Sequence, residues 1–250
     1  MRPPRVLPAA ALALLLSACA TVPPPPVAQG PIGEILASPD RRPADRTNDA
    51  RRKAPAMLAF IGARPGMVTI DLSAGGGYTT ELLARSVGPT GKVYGQSRPR
   101  PGNPSPAALA ERAKNPAVAN IVPVERPFED PVPPGVAPGT LDLATLMFNY
   151  HDLVGAKVDR AKMNRAVFTA LKSGGTYVVA DHSGRPGTGA SEVGTLHRIE
   201  ESFLQKEIEA AGFRLAEQGN FLRNPDDPRD KETPVPAMPK DEFVLKFVKP

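Results

Sequence analysis

The three histidines of this 250-residue chain stand among polar neighbours: Asn149-Tyr150-His151-Asp152, Asp181-His182, and His197 beside Arg198. Imidazole titrates near neutral pH, so a histidine oriented by a carboxylate can take a proton from a hydroxyl or ammonium nucleophile. On this reading His151 or His182 is the base, Asp152 or Asp181 orients its ring, and Tyr150 packs over the reacting group. Asp181, His197 and Arg223 are assigned to the substrate side of the same site. Three imidazoles with two carboxylates could also hold a divalent metal. Their spacings follow no metal-binding pattern, and no metal site is assigned. A second stretch, Asp71-Leu72-Ser73-Ala74-Gly75-Gly76-Gly77, concentrates glycine where a chain must turn sharply and a ligand can approach the main chain.

Both stretches require elements that deliver them to one edge. Met67–Leu72, Lys92–Gln96, Asn120–Glu125, Leu141–Phe148 and Thr176–Asp181 are short apolar runs that read as strands. Helical spacing appears over 50–62, 78–87, 107–114, 156–171 and 195–211. Pro123 cannot donate to a ladder, which places the third strand toward one side of the sheet. Gly212–Leu215 and Glu242–Val248 are two further strands with only loop between them, so they can pair antiparallel at an edge. The alternation predicts an α/β fold: a doubly wound, seven-stranded, mostly parallel sheet closed by a C-terminal antiparallel hairpin. The glycine loop and the histidines then share the carboxyl ends of the strands, where such sheets bind ligands. The turn-rich segment from Arg223 to Asp230 reads equally as a solvated hairpin tip or as a lid.

The glycine loop lacks the sixth-position glycine of a dinucleotide fingerprint, because Thr80 stands there, and no Gly-Lys-Ser/Thr follows it. It resembles instead the first motif of class I S-adenosylmethionine-dependent methyltransferases, in the form Asp-x-x-Ala-Gly-x-Gly. Over residues 45–250 the chain is similar to a family of exported predicted methyltransferases, through the tetrad at 149–152, Asp181-His182 and Phe221-Leu222-Arg223-Asn224-Pro225-Asp226-Asp227-Pro228. The resemblance implies S-adenosylmethionine as cofactor and methyl transfer to a small-molecule or envelope acceptor. The alternatives are a non-catalytic ligand- or partner-binding domain and a metal-dependent enzyme using the His/Asp cluster. The resemblance implies that Asp71, Gly75 and Gly77 line the aminoacid end of the cofactor, with Ser73, Ala74, Gly76 and Asn149 beside them. Gln96 takes the place of the usual ribose-binding carboxylate, and Phe128 lies near the adenine.

The N-terminus reads as a targeting segment. Arg2 and Arg5 precede an apolar run from Val6 to Leu16, and Leu16-Ser17-Ala18-Cys19 resembles the bacterial lipobox. The resemblance implies cleavage before Cys19, lipidation of its thiol and an envelope protein on the periplasmic face of the outer membrane. Residues 1–18 are thus expected to be the signal peptide, 19–45 a Pro-rich stalk containing Pro23–Pro26, and 46–250 the folded domain. A single cysteine excludes an intrachain disulfide and a Cys-based zinc site. Removing Arg2 and Arg5 leaves 29 basic against 26 acidic residues, and no basic run interleaves with aromatics. Nucleic acid is therefore not expected as a partner.

Overall fold

The computed structural model describes Met1, residues 30–232 and residues 239–250. The expected signal peptide, Cys19 and the proline run lie outside the described residues. Seven strands form one sheet: β1 (Val68–Leu72), β2 (Lys92–Ser97), β3 (Ile121–Glu125), β4 (Leu141–Met147), β5 (Leu171–His182), β6 (Arg214–Gly219) and β7 (Glu242–Val248). Their order is β3-β2-β1-β4-β5-β7-β6, parallel from β3 to β5, with β7 antiparallel to both β5 and β6. The expected architecture is the one observed, and Pro123 falls on the edge strand as its missing donor requires.

Alternation along the central strands feeds two cores. Ile70, Leu72, Tyr177, Val179 and Phe243 face one side, against α6 (Tyr150–Gly155), α7 (Arg160–Ala170) and α9 (Glu201–Glu209). Val93, Leu143, Val178 and Val244 face the other, against α3 (Ala54–Ile61), α4 (Tyr78–Val87) and α5 (Ser105–Arg112). Burial on both faces explains why these strands read as nearly continuous apolar runs. No helix among the described residues is long and apolar enough to cross a membrane.

Several boundaries differ from expectation. Residues 31–45, expected in the stalk, are folded onto the domain as α1 (Pro31–Ala37) and the start of α2 (Pro43–Arg51). Buried charges hold them there. Arg112 donates to Asp45 at 2.6 Å and also pairs with Glu81, while Arg41 and Tyr78 both donate to Asp49, at 2.7 and 2.9 Å. Composition hides such an arrangement, because a charge-rich stretch looks solvated until its partners fold beside it. Three expected helices are shorter or divided. The first is interrupted at Lys53 (φ 45°), between α2 and α3. The one after β4 runs only from Arg160, and the one after β5 is interrupted at His197 (φ 50°), between α8 (Val193–Leu196) and α9.

Candidate active site

The chain order reverses between β1 and β4, so the loop after β1 and the tetrad after β4 meet across the carboxyl edge of the sheet. Ser73 Oγ donates to Asn149 Oδ1 at 2.5 Å, and Asn149 Nδ2 donates to Asp152 Oδ2 at 2.6 Å. Two cavities lie beside this chain of hydrogen bonds. An inner cleft of about 450 Å³ is lined by Ser73, Gly75, Ser97, Arg98, Phe128 and Asn149 among others. An outer cavity of about 940 Å³ is lined by Arg52, Phe148, His151, His182, His197, Arg223 and Glu242 among others. Asp152 lines both and marks their junction.

The glycine loop divides its work. At Gly75 (φ +56°) an added Cβ meets nothing within 4 Å, so the cradle is open toward the cleft. At Gly77 (φ +85°) a Cβ would stand 2.7 Å from Leu109 Cδ1 and 2.9 Å from Arg112 Cδ. Gly77 therefore serves the seating of α5 and does not line the cleft. Gly76 is exposed, and its carbonyl accepts from Arg112 Nε at 2.7 Å; Ala74 is packed, its N–H donating to the Gln96 carbonyl at 2.8 Å.

Other assignments are corrected by burial. Asp71 does not line the cleft: it is 2% exposed and accepts from Thr80 Oγ1 at 2.6 Å and Thr145 Oγ1 at 2.7 Å. It ties the loop to the strands. Gln96 is fully buried, accepting from the Ser73 N–H at 3.0 Å and donating to the Arg126 carbonyl at 2.6 Å, and it does not line the cleft. Ser97, one residue on, lines the cleft instead; its Oγ is buried and has no hydrogen-bond partner among the described residues. Tyr150 points into the core, where its hydroxyl donates to Glu207 at 2.9 Å and accepts from Asn164 at 3.0 Å. It cannot pack over a reacting group. Asp181 is fully buried and touches no substrate space. Its carboxylate takes the His151 N–H and the His182 N–H, each at 2.8 Å, and His151 Nδ1 at 2.6 Å.

His151 is thereby a poor free base. Burial pulls its pKa down, but Asp152 and Asp181 outweigh that and hold the ring up at about 10. The ring is an imidazolium at neutral pH unless another cation replaces its proton. Burial pushes Asp152 up, yet His151 and His197 hold it below the usual carboxylate range. His182 sits at the outer cavity with Nδ1 2.9 Å from Glu242 Oε1. Arg223 also lines that cavity, with its guanidinium 2.6 Å from Glu201. The segment after it is anchored at Asp227, which is buried against Arg198 at 2.9 Å and takes the Asp241 N–H at 2.7 Å, while Pro225, Asp226, Pro228 and Asp230 are exposed.

Residues that sequence reasoning passed over complete the walls. Ser97 was one step of strand alternation from the residue chosen. Arg98, Arg100, Asn103 and Ser105 come from a loop read only as proline-rich. Arg51, Arg52 and Lys53 enter the outer cavity where the helix breaks. Arg52 lies over the rings of Phe148 (4.7 Å) and Tyr78 (5.2 Å), and no carboxylate pairs with it among the described residues. Burial and the neighbouring Arg51 lower its pKa to about 10, which leaves it charged at neutral pH.

Asp71 carries a pH prediction. Burial pushes its carboxyl up to about 6, against the Thr80 and Thr145 hydroxyls. The folded state therefore binds the proton more tightly than the unfolded chain does. The resulting stability is fully present below the unfolded value near 4 and is lost as pH rises through about 6, by up to about 3 kcal/mol. Urea unfolding of the native protein and of Asp71→Asn between pH 4 and 7 checks this. The variant's curve should fall less over that window, and parallel curves would refute the assignment.

No protein-family model matches the sequence. Solved structures share the fold. A SAM dependent methyltransferase from Aquifex aeolicus superposes with a TM-score of 0.58 at 18% identity, covering 83% of this chain and 97% of that one. A geranyl diphosphate methyltransferase in complex with SAM gives 0.58 at 13% identity over 86% and 94%. The [4+2]-cyclase SpnF gives 0.59 at 16% identity over 83% and 82%. The chain has the class I methyltransferase fold, and the cyclase illustrates that this fold alone does not dictate one reaction.

Proposed function

We propose that this chain, folded as those methyltransferases are, binds S-adenosylmethionine in the inner cleft and transfers its methyl group to a small-molecule or envelope acceptor in the outer cavity. The observation that carries the reading is Ser97 Oγ, a buried hydroxyl without a partner among the described residues, in the wall of a cleft that opens at Gly75. A buried polar group is normally hydrogen-bonded, so a lone hydroxyl at a cavity wall calls for a ligand. The residues fit an adenosyl group: open main chain at Gly75, hydroxyls at Ser73 and Ser97, and an apolar ring at Phe128. The bound cofactor would supply an electrophilic methyl on a sulfonium.

Methyl transfer is an in-line displacement and asks chiefly for positioning. Asn149 supplies rigidity by bonding Ser73 on one side and Asp152 on the other. Arg52, which no carboxylate pairs with among the described residues, offers its guanidinium to a carboxylate entering the outer cavity, and Phe148 beneath it keeps that charge in place. His182, beside Glu242 at the outer cavity, is the ring placed to take a proton from an acceptor. From the lipobox alone, we also place the chain at the cell envelope, anchored through Cys19; mass spectrometry of the mature N-terminus checks the acylation.

Calorimetry with S-adenosylmethionine tests the binding. Ser97→Ala should weaken it about 5- to 10-fold, the loss of one hydrogen bond of about 1 kcal/mol. Its stability should be unchanged or slightly higher, because the orphan hydroxyl is removed. Unchanged affinity in Ser97→Ala would remove the ribose role, and no binding to the native protein would remove the function.

A further inference from the structure

Three side chains with metal-binding atoms converge where the two cavities meet. His151 Nε2 lies 3.3 Å from Asp152 Oδ1, and His197 Nδ1 lies 3.5 Å from the same oxygen. All three ligand atoms lie within 4.8 Å of one another. A cation bound at about 2.0–2.2 Å by nitrogen and oxygen needs neighbouring ligand atoms roughly 3.0–3.6 Å apart. The two measured separations are of that size.

Two of the ligands, His151 and Asp152, are also held from behind, on the atom that faces away from the cluster. His151 Nδ1 is bound to Asp181 Oδ1 at 2.6 Å, which directs Nε2 at the cluster. Asp181 is itself fixed by the amides of His151 and His182. Asp152 Oδ2 accepts from Asn149 Nδ2 at 2.6 Å, leaving Oδ1 toward the two rings. His197 Nε2 is 3.7 Å from Glu232 Oε1. A carboxylate behind an imidazole is the device by which metal sites set ring orientation and raise ligand basicity. It also accounts for Asp181, a fully buried carboxylate with no contact to either cavity.

We propose that His151, Asp152 and His197 form a binding site for a divalent first-row cation, with open coordination positions toward the outer cavity. Two imidazoles and one carboxylate select zinc, cobalt, manganese or iron(II) over soft monovalent copper. Three protein ligands instead of four describe a site built to take a further, exchangeable ligand. In the outer cavity that ligand would be an acceptor hydroxyl, whose proton is more easily lost when the oxygen is metal-bound. The transfer then balances simply: the oxygen–carbon bond forms, the carbon–sulfur bond breaks with its pair staying on sulfur, and the proton leaves to solvent. Cation binding itself does not depend on the methyltransferase reading and is measured without cofactor.

The experiment uses the full chain without a histidine tag, stripped with chelator and titrated with Co(II). Visible absorption of the bound ion and calorimetry are followed together. One equivalent of Co(II) should bind, with d–d bands showing nitrogen and oxygen ligation. Asp181→Asn should weaken binding about 10- to 100-fold, as loss of an outer-shell carboxylate does, and His197→Ala should weaken it further. Because Asp181→Asn disturbs a buried group, the partly exposed His197 is the decisive position, with circular dichroism confirming its fold. Absence of stoichiometric Co(II) uptake by the native protein, or uptake unaltered in a folded His197→Ala, overturns the site. S-adenosylmethionine calorimetry on the same stripped protein reports the cofactor reading separately.

Discussion

Gly75→Arg is expected to abolish measurable S-adenosylmethionine binding while the protein stays folded. The position is open: a Cβ there meets nothing within 4 Å, and the residue lines the inner cleft with Ser73 and Ser97. An arginine side chain would extend into a space of about 450 Å³ and occupy it. A loss of at least about 100-fold in affinity corresponds to roughly 2.7 kcal/mol. The stability cost is smaller and has another origin. Gly75 has φ +56°, and a side chain in that region costs about 1–2 kcal/mol. For a domain of this size that lowers Tm by only a few degrees. Gly77→Ala is the informative contrast, because its Cβ would press on Leu109 and Arg112 within 3 Å. It should destabilise the fold through α5 more than it blocks the cleft. Calorimetry and thermal unfolding on both variants separate the two effects. Native-like affinity in Gly75→Arg would move the cofactor out of this cleft.

Arg198→Met is expected to cost about 3–5 kcal/mol of stability, as loss of one partner of a buried ion pair does. Arg198 is fully buried and donates to Asp227 Oδ2 (2.9 Å), the Ser183 carbonyl (3.0 Å) and the Lys231 carbonyl (3.0 Å). Asp227 is also buried and takes amides from Arg229 (3.0 Å) and Asp241 (2.7 Å). Removing the arginine leaves that carboxylate buried beside two amides without the guanidinium that pairs with it. Arg198→Lys should also fall short, since one ammonium cannot serve a carboxylate and two carbonyls in the geometry of a guanidinium. The double variant Arg198→Met/Asp227→Leu should recover much of the loss, as replaced buried pairs do. Urea unfolding checks all three, and a loss below about 1 kcal/mol in Arg198→Met would mean that water already reaches the pair. The consequence reaches the site, because this pair anchors the segment that carries Arg223 and Asn224 to the outer cavity.

Much of this was legible before any coordinates. Strand periodicity, the glycine run after β1 and the polar tetrad after β4 depend on neighbours a few residues away. They located the cleft, brought His151, His182 and Asp152 to one edge, and placed Pro123 on the outer strand. What failed was direction and partnership. Strand-end residues one position apart face opposite ways, and it is Ser97, not Gln96, that lines the cleft. Tyr150 lies in a polar tetrad yet turns into the core, because Glu207 and Asn164 wait there for its hydroxyl.

The sequence by itself determined the class of sheet, the order of its elements and the edge at which chemistry gathers, since these follow from local propensity and hydrophobic period. Only the tertiary structure decided which polar groups are spent on one another. Asp71 is taken by Thr80 and Thr145, Asp181 by His151, and Asp45 by Arg112 across most of the N-terminal half. Most of these pairings join residues thirty or more positions apart in the chain, and they are set by the cost of burying a charge without its partner, a quantity that exists only once the chain has closed around it.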